Sequence, residues 1–144
     1  MSDQPEAGRD KLEISNMYLC GSTFTAVSLK DAEFRDTHLM NALVDDVNAT
    51  GLRFNNVNLT DASIQDANLT NASIRYANLT GLTINGVNMT GVTISDANLT
   101  GVKISGVNLT GAAISNADLT DMTIDGIDVA QMITLWKETH GPQA

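Results

Sequence analysis

A thiol becomes a nucleophile when a neighbouring imidazole takes its proton, and Cys20 and His38 are the residues that could form such a dyad. Cys20 is the only cysteine, so neither an internal disulfide nor a Cys-based zinc site is expected. The same pair falls short of a zinc ligand set, and no metal or cofactor is expected. There is no Ser-His-Asp order and no glycine-rich phosphate loop. Groups that suit binding are more numerous. Tyr18, Met40 and Leu43 are large and apolar, Arg35, Arg53 and Arg75 are cationic, and Asp45, Asp46 and Asp66 are acidic. Aromatic and Arg side chains anchor protein interfaces, and carboxylates steer basic partners toward them. What these residues can do depends on the elements that hold them.

Those elements must fit one domain of 144 residues. Seventeen acidic residues against 8 basic ones give a net charge of −9. That balance argues against direct contact with nucleic acid or anionic lipid, both of which need clustered Lys and Arg. The longest apolar run, residues 17–20, is far too short for a membrane-spanning helix. Residues 1–11 are polar and hold no signal-peptide core, so a cytoplasmic protein is expected. Aromatics are only 4%, leaving Leu, Ile, Val and Ala to fill the interior.

The dominant feature is a beat of five. Centres fall every fifth residue from Ile14 to Val129, giving 24 pentads over residues 12–131, and every centre is apolar. At 42% apolar content, chance would produce this about once in 10⁹. Two residues before the centre, 22 of 24 positions are also apolar, the exceptions being Ser22 and Thr37. Two residues after it, 21 of 24 are Gly, Asn or Asp, the types that best tolerate left-handed or turn backbone. A period of five suits neither a helix nor a long strand. It fits short extended segments joined by corners, with two inward side chains per segment. Four segments close a square coil, and coils stack through backbone hydrogen bonds. From Leu59 onward the centres alternate Leu (once Met) with Ile, which puts Leu on two opposite sides and Ile on the other two.

Stretches such as Ala67-Asn68-Leu69-Thr70-Asn71, Ala97-Asn98-Leu99-Thr100-Gly101 and Ala117-Asp118-Leu119-Thr120-Asp121 give the chain its resemblance to the pentapeptide-repeat family. The resemblance covers about four-fifths of the chain. It implies an all-β solenoid, a right-handed quadrilateral β-helix of about six coils with a short C-terminal capping helix. At ~4.8 Å per rung the post would stand roughly 25–30 Å tall. The expected layout is a polar tail over residues 1–11, the β-helix over 12–128, and a helix and tail over 129–144. In that last segment Val129, Met132, Ile133 and Trp136 keep helical spacing, Asp128 is placed to cap, and Gly141-Pro142 to stop. The helix is expected to lie over the last coil. The resemblance further implies a homodimer through it, with Met132, Leu135 and Trp136 as dimer or cap residues.

Only the residues flanking each centre and the corners can meet a partner, and residues 20 apart stack in columns. In the C-terminal half these columns are monotonous: Asn before the centre, Thr after it, mostly Gly at corners. The Asn ladders are expected to bond to the backbone of adjacent coils. Their Asn-x-Thr triplets imitate glycosylation acceptors but are by-products of the beat. Variety gathers between residues 13 and 76. One side carries Tyr18 and Cys20 with His38 and Met40 above them, and Leu43 projects from the next side. Glu33, Arg35, Arg53 and Arg75 share another side, facing away from an acidic edge of Asp45, Asp46 and Asp66. The principal contact surface is expected to centre on Tyr18, His38, Met40, Leu43, Asp45, Asp46 and Asp66, with Arg35, Arg53 and Arg75 as a secondary face.

A convex, solvated side offers no substrate pocket, so catalysis is not expected. The resemblance implies binding to type II topoisomerases, in some relatives by imitating DNA. A duplex of this height would carry roughly 15–17 negative charges, whereas the array's 13 acidic and 5 basic residues give −8. A one-sided acidic surface on a basic protein fits better. The expectation is a non-catalytic inhibitor of a nucleic-acid-processing protein, as an immunity protein against a secreted nuclease-type toxin or a topoisomerase modulator. The alternatives are a scaffold or spacer solenoid, and an ice-binding array built on the Thr columns.

Overall fold

The computed structural model describes residues 13–141. The polar tail expected over 1–11, including any cover it gives the Tyr18 and Met40 patch, lies outside the described residues, as does Pro142. Short strands recur because each pentad extends over its centre and then turns. Among the described residues they build two sheets. The first holds β1 (Glu13–Ser15), β3 (Glu33–His38), β5 (Arg53–Asn58), β7 (Ser73–Arg75), β9 (Thr93–Ser95) and β11 (Ala113–Ser115). The second holds β2 (Thr23–Thr25), β4 (Leu43–Asp45), β6 (Ser63–Gln65), β8 (Thr83–Asn85), β10 (Lys103–Ser105), β12 (Thr123–Ile124) and β13 (Ile127–Asp128). Every parallel pair joins residues 20 apart, as in Phe34 with Phe54 and Ile64 with Ile84. Between the sheets run two narrower sides of single bridges, Tyr18 to His38 and Asn58 to Asn78 on one, Asn48 to Asn68 to Asn88 on the other. The result is the expected four-sided solenoid of about six turns with a single C-terminal helix.

The corners explain the third restriction of the repeat. Every fifth residue from Asn16 to Asp121 has positive φ, between 51° and 74°. Corners that follow the narrow sides close with a turn bond, for example Ala32 N–H to Leu29 O at 3.0 Å. In a turn whose third residue has positive φ, Gly or Asn is favoured there. At Gly51 and Gly81 a further reason applies: Asp31 and Asp61 lean over them so closely that an added Cβ would collide with a carboxylate oxygen. Two corners break the pattern, Ala26 and Tyr76, both held at φ 54°.

Inside, centres and the residues before them pack as one column. Phe34, Leu59, Ile64, Leu79 and Leu99 are fully buried. Phe34 packs on Phe54 of the next rung, tilted at 5.3 Å between centroids, and meets Phe24 edge-on at 5.9 Å from the opposite sheet. The polar exception Thr37 is buried with its hydroxyl donating to Arg35 O at 2.9 Å, which removes the cost of an unpaired group.

The beat stops one pentad early. Asp125 and Gly126, both at positive φ, turn β13 back antiparallel on β12, the geometry of a tight hairpin. Val129, which falls on the beat as a centre, instead opens α1 (Val129–His140). Asp128 caps it as expected, its Oδ1 accepting from Gln131 N–H at 2.9 Å. Val129 is the helix's one buried residue. The last coil stays partly open, with Leu109, Ala112 and Leu119 half-buried and Ile114 exposed. The expectation that the helix lies over this coil is therefore corrected, because the hairpin redirects the chain before the helix begins.

Candidate interaction surface

Each side of the post presents two outward columns, so the neighbours of every predicted residue follow from the register. Tyr18 and His38 are bridge partners on the side after the first sheet, and their rings stack at 4.6 Å and 12°. Tyr18 is 81% exposed, a large aromatic held against a single neighbour. Met40 lies on the same side and is half-buried. Cys20 is an exposed free thiol, and no hydrogen bond joins it to His38 among the described residues. The imidazole is engaged with Tyr18, so a Cys-His dyad is not formed. Among the described residues no group of three or more potential metal ligands exists.

Leu43 and Asp45 sit one side further on, in β4, and both are half-buried. Asp46 and Asp66 occupy the corner beyond, exposed along a shallow groove with Val47, Ala67 and Asn68. The expected principal surface thus wraps two sides and a corner and is not one flat patch. Its acidic part is also less separate than expected. Asp31, Asp36, Asp61, Asp96 and Asp121 stand at the other corners, all at positive φ. Acid recurs there because the corner backbone admits Asp, Asn or Gly, so part of the net charge follows from the fold.

The Arg face forms a compact ladder. Glu33 accepts from Arg35 at 2.7 Å and from Arg53 at 3.0 Å, one guanidinium on its own rung and one above. Arg75 lies 5.3 Å from the centroid of the Tyr76 ring, a cation–π contact. Among the three it alone has no carboxylate partner in the described residues. The two faces separated in the sequence reading share one corner, the column Asn16, Asp36, Asn56, Tyr76. β3 and β5 run through that corner as continuous strands.

Tyr76 was missed. It is more than half exposed, bulky, and sits where nearly every other corner is Gly, Asn or Asp. Its signal was present in the repeat as an exception to the corner rule. The exception mattered more than the rule.

The Asn ladders work differently from expectation. Asn58 Oδ1 accepts from both the N–H and the hydroxyl of Thr60, at 3.0 and 2.6 Å. The same double bond recurs from Asn48 through Asn108, within each coil and not between coils. At Asp118 a carboxylate takes the same place, and its pKa is lowered by the Thr120 hydroxyl first, then the Thr120 N–H and the Thr100 hydroxyl. The Thr hydroxyls thus donate along the outer face to the Asn or Asp of their own rung.

A four-sided parallel β-helix with short strands and Asx or Gly corners defines a class of repeat solenoid whose outer columns carry its interactions. The family described as pentapeptide repeats matches residues 53–91 and 94–128 in 8 copies. The chain belongs to that pentapeptide-repeat family. A pentapeptide repeat protein, Rfr23, from the cyanobacterium Cyanothece 51142 superposes with a TM-score of 0.72 at 20% identity, covering 78% of this chain and 91% of that one. A pentapeptide repeat protein from the Arabidopsis thaliana thylakoid lumen gives a TM-score of 0.54 at 25% identity, covering 84% and 75%. No curated protein matches the chain in sequence.

Proposed function

We propose that this chain is a non-catalytic binding module that restrains a basic, nucleic-acid-handling protein in the cytoplasm. It would act as an immunity protein against a secreted nuclease-type toxin or as a topoisomerase modulator. The carrying observation is the asymmetry of the post. Tyr18, His38, Met40, Leu43, Arg35, Arg53 and Arg75 all project from the first four coils, while the upper coils repeat Asn, Thr and Gly. Regular rungs hold the coil together without them, so these departures serve contact with something else. The acidic members, Asp45, Asp46 and Asp66, would meet the basic partner, whose on-rate they would raise.

The test uses the full chain as bait, with a triple charge reversal of Asp45, Asp46 and Asp66 to Lys and a Tyr18→Ala, Met40→Ala double variant. The expected result is a captured basic protein, inhibited in its nucleic-acid chemistry by the parent and released by both variants, all of which keep the β-type circular dichroism. Unchanged capture by both variants would show the surface to be wrong. A scaffold role would show as binding without inhibition.

A homodimer through the C-terminal end belongs to the same reading. Ile114, Met132, Ile133, Leu135 and Trp136 are all exposed there. Together with the half-open last coil they leave an apolar end that a second copy can cover.

A further inference from the structure

The corner shared by the Arg side and the Tyr18 side carries a groove of about 250 Å³, and its lining does not fit a protein partner as well as it fits a small polar one. Six outward side chains form it: Asp36, His38, Asn56, Asn58, Tyr76 and Asn78. Thr37 and Val57, also in the lining, point into the core and offer only backbone. From these groups we infer that the groove binds a neutral sugar ring, one or two residues of a saccharide.

The hydrogen-bonding supply is the first reason. Asn58 and Asn78 spend their Oδ1 atoms on Thr60 and Thr80, so each is fixed with its NH₂ group left to donate outward. They are bridge partners on successive rungs, ~4.8 Å apart, a spacing that suits two hydroxyls on one ring. Asp36 receives Asn56 Nδ2 on one oxygen at 2.5 Å, which holds the carboxylate and leaves its second oxygen to accept from a hydroxyl. Fixed donors beside a fixed acceptor match a ligand whose every hydroxyl does both.

The aromatic rings are the second reason. Tyr76 stands at the groove's upper end, steadied by Arg75, while His38 at the lower end is held by Tyr18. A sugar's apolar C–H face packs on such a ring while its hydroxyls reach the amides. Tyr76 also occupies a backbone position that disfavours it, and residues kept in such conformations gather at ligand sites. Charge is the third reason. Asp36 is the one carboxylate in the lining, already bonded by Asn56, and Arg75 on the flank offsets it, so no cluster of one sign selects an ion and the ligand is neutral.

The test is an NMR titration of the full ¹⁵N-labelled chain with maltose, cellobiose, lactose and N,N′-diacetylchitobiose, with sodium glutamate as the charged control. At least one disaccharide should shift the side-chain amides of Asn58 and Asn78 and saturate in the millimolar range, while glutamate leaves them in place. Tyr76→Asn, which restores a favoured corner residue and so keeps the fold, should bind roughly tenfold more weakly. The inference is overturned if no disaccharide moves either amide, if only glutamate does, or if Tyr76→Asn binds as tightly as the parent. This outcome is independent of protein capture by the acidic side.

Discussion

At the scale of single residues, the corner positions decide most of what is unusual here. A non-glycine side chain in the left-handed region costs about 1–2 kcal/mol, less for Asn and Asp, whose side chains bond locally. Ala26 and Tyr76 bear that cost in full. Ala26→Gly should therefore raise stability by about 1 kcal/mol despite the added chain entropy of glycine. Tyr76→Asn should gain somewhat less, because it also gives up the Arg75 contact, worth ~0.5–1 kcal/mol at an exposed site. Thermal denaturation of the two variants, read against the parent, checks both signs. Asp118 supplies a prediction in pH. Its folded pKa is lowered, so the folded chain holds its proton less tightly than the unfolded chain. The stabilisation is complete above the ordinary carboxylate pKa of 3.8 and is lost as pH falls through the lowered value. Asp118→Asn, which makes this rung like those below it, should leave stability at pH 7 unchanged and flatten the acid limb below pH 4.

At the scale of elements, strands this short gain little alone, and each rung is held by its neighbours above and below. In the first coils Phe34 couples one rung to the next through Phe54 and spans the core to Phe24 on the opposite sheet. Phe34→Ala should cost about 3–5 kcal/mol, because a cavity opens between two rungs that cannot collapse without breaking register. Denaturant melts should show the N-terminal coils yielding first in that variant, with α1 and the last coils retained. Much of this was legible from the chain. Centres, inward flanks and corners are local properties repeated at every rung, so the four sides and the pairing of residues 20 apart followed from counting. The Asn-Thr bonds were not legible, because the amide could reach either its own coil or the next, and only the coil's curvature brings the Thr hydroxyl within 2.6 Å. The hairpin of β12 and β13 was hidden for a related reason. Val129 satisfies both the five-residue beat and a helical stripe, and apolar periodicity does not choose between them.

At the scale of the molecule, the two ends differ. Among the described residues the second sheet ends toward the C-terminus in the antiparallel β13, whereas the first ends in β11 with no further strand beyond it. An open strand edge beside exposed apolar groups invites pairing with another copy. Under the dimer reading, sedimentation of the full chain should give twice the monomer mass, and Trp136→Asp should return it to 15.3 kDa without loss of β structure. A monomeric parent at micromolar concentration would rule out that use of the end.

The amino-acid order by itself determined the solenoid, its coil size, its sides and its family, because a period of five can bury its apolar residues only by stacking square coils. It also named most of the outward residues, since every residue's facing is set by its place in the pentad. Only the tertiary structure decided which of them meet. The corner that joins Tyr18 and His38 to the Arg side, the strained Tyr76 on it, and the helix that leaves the last coil half-open depend on contacts between rungs and on the path of one hairpin. Neither is encoded in any single pentad.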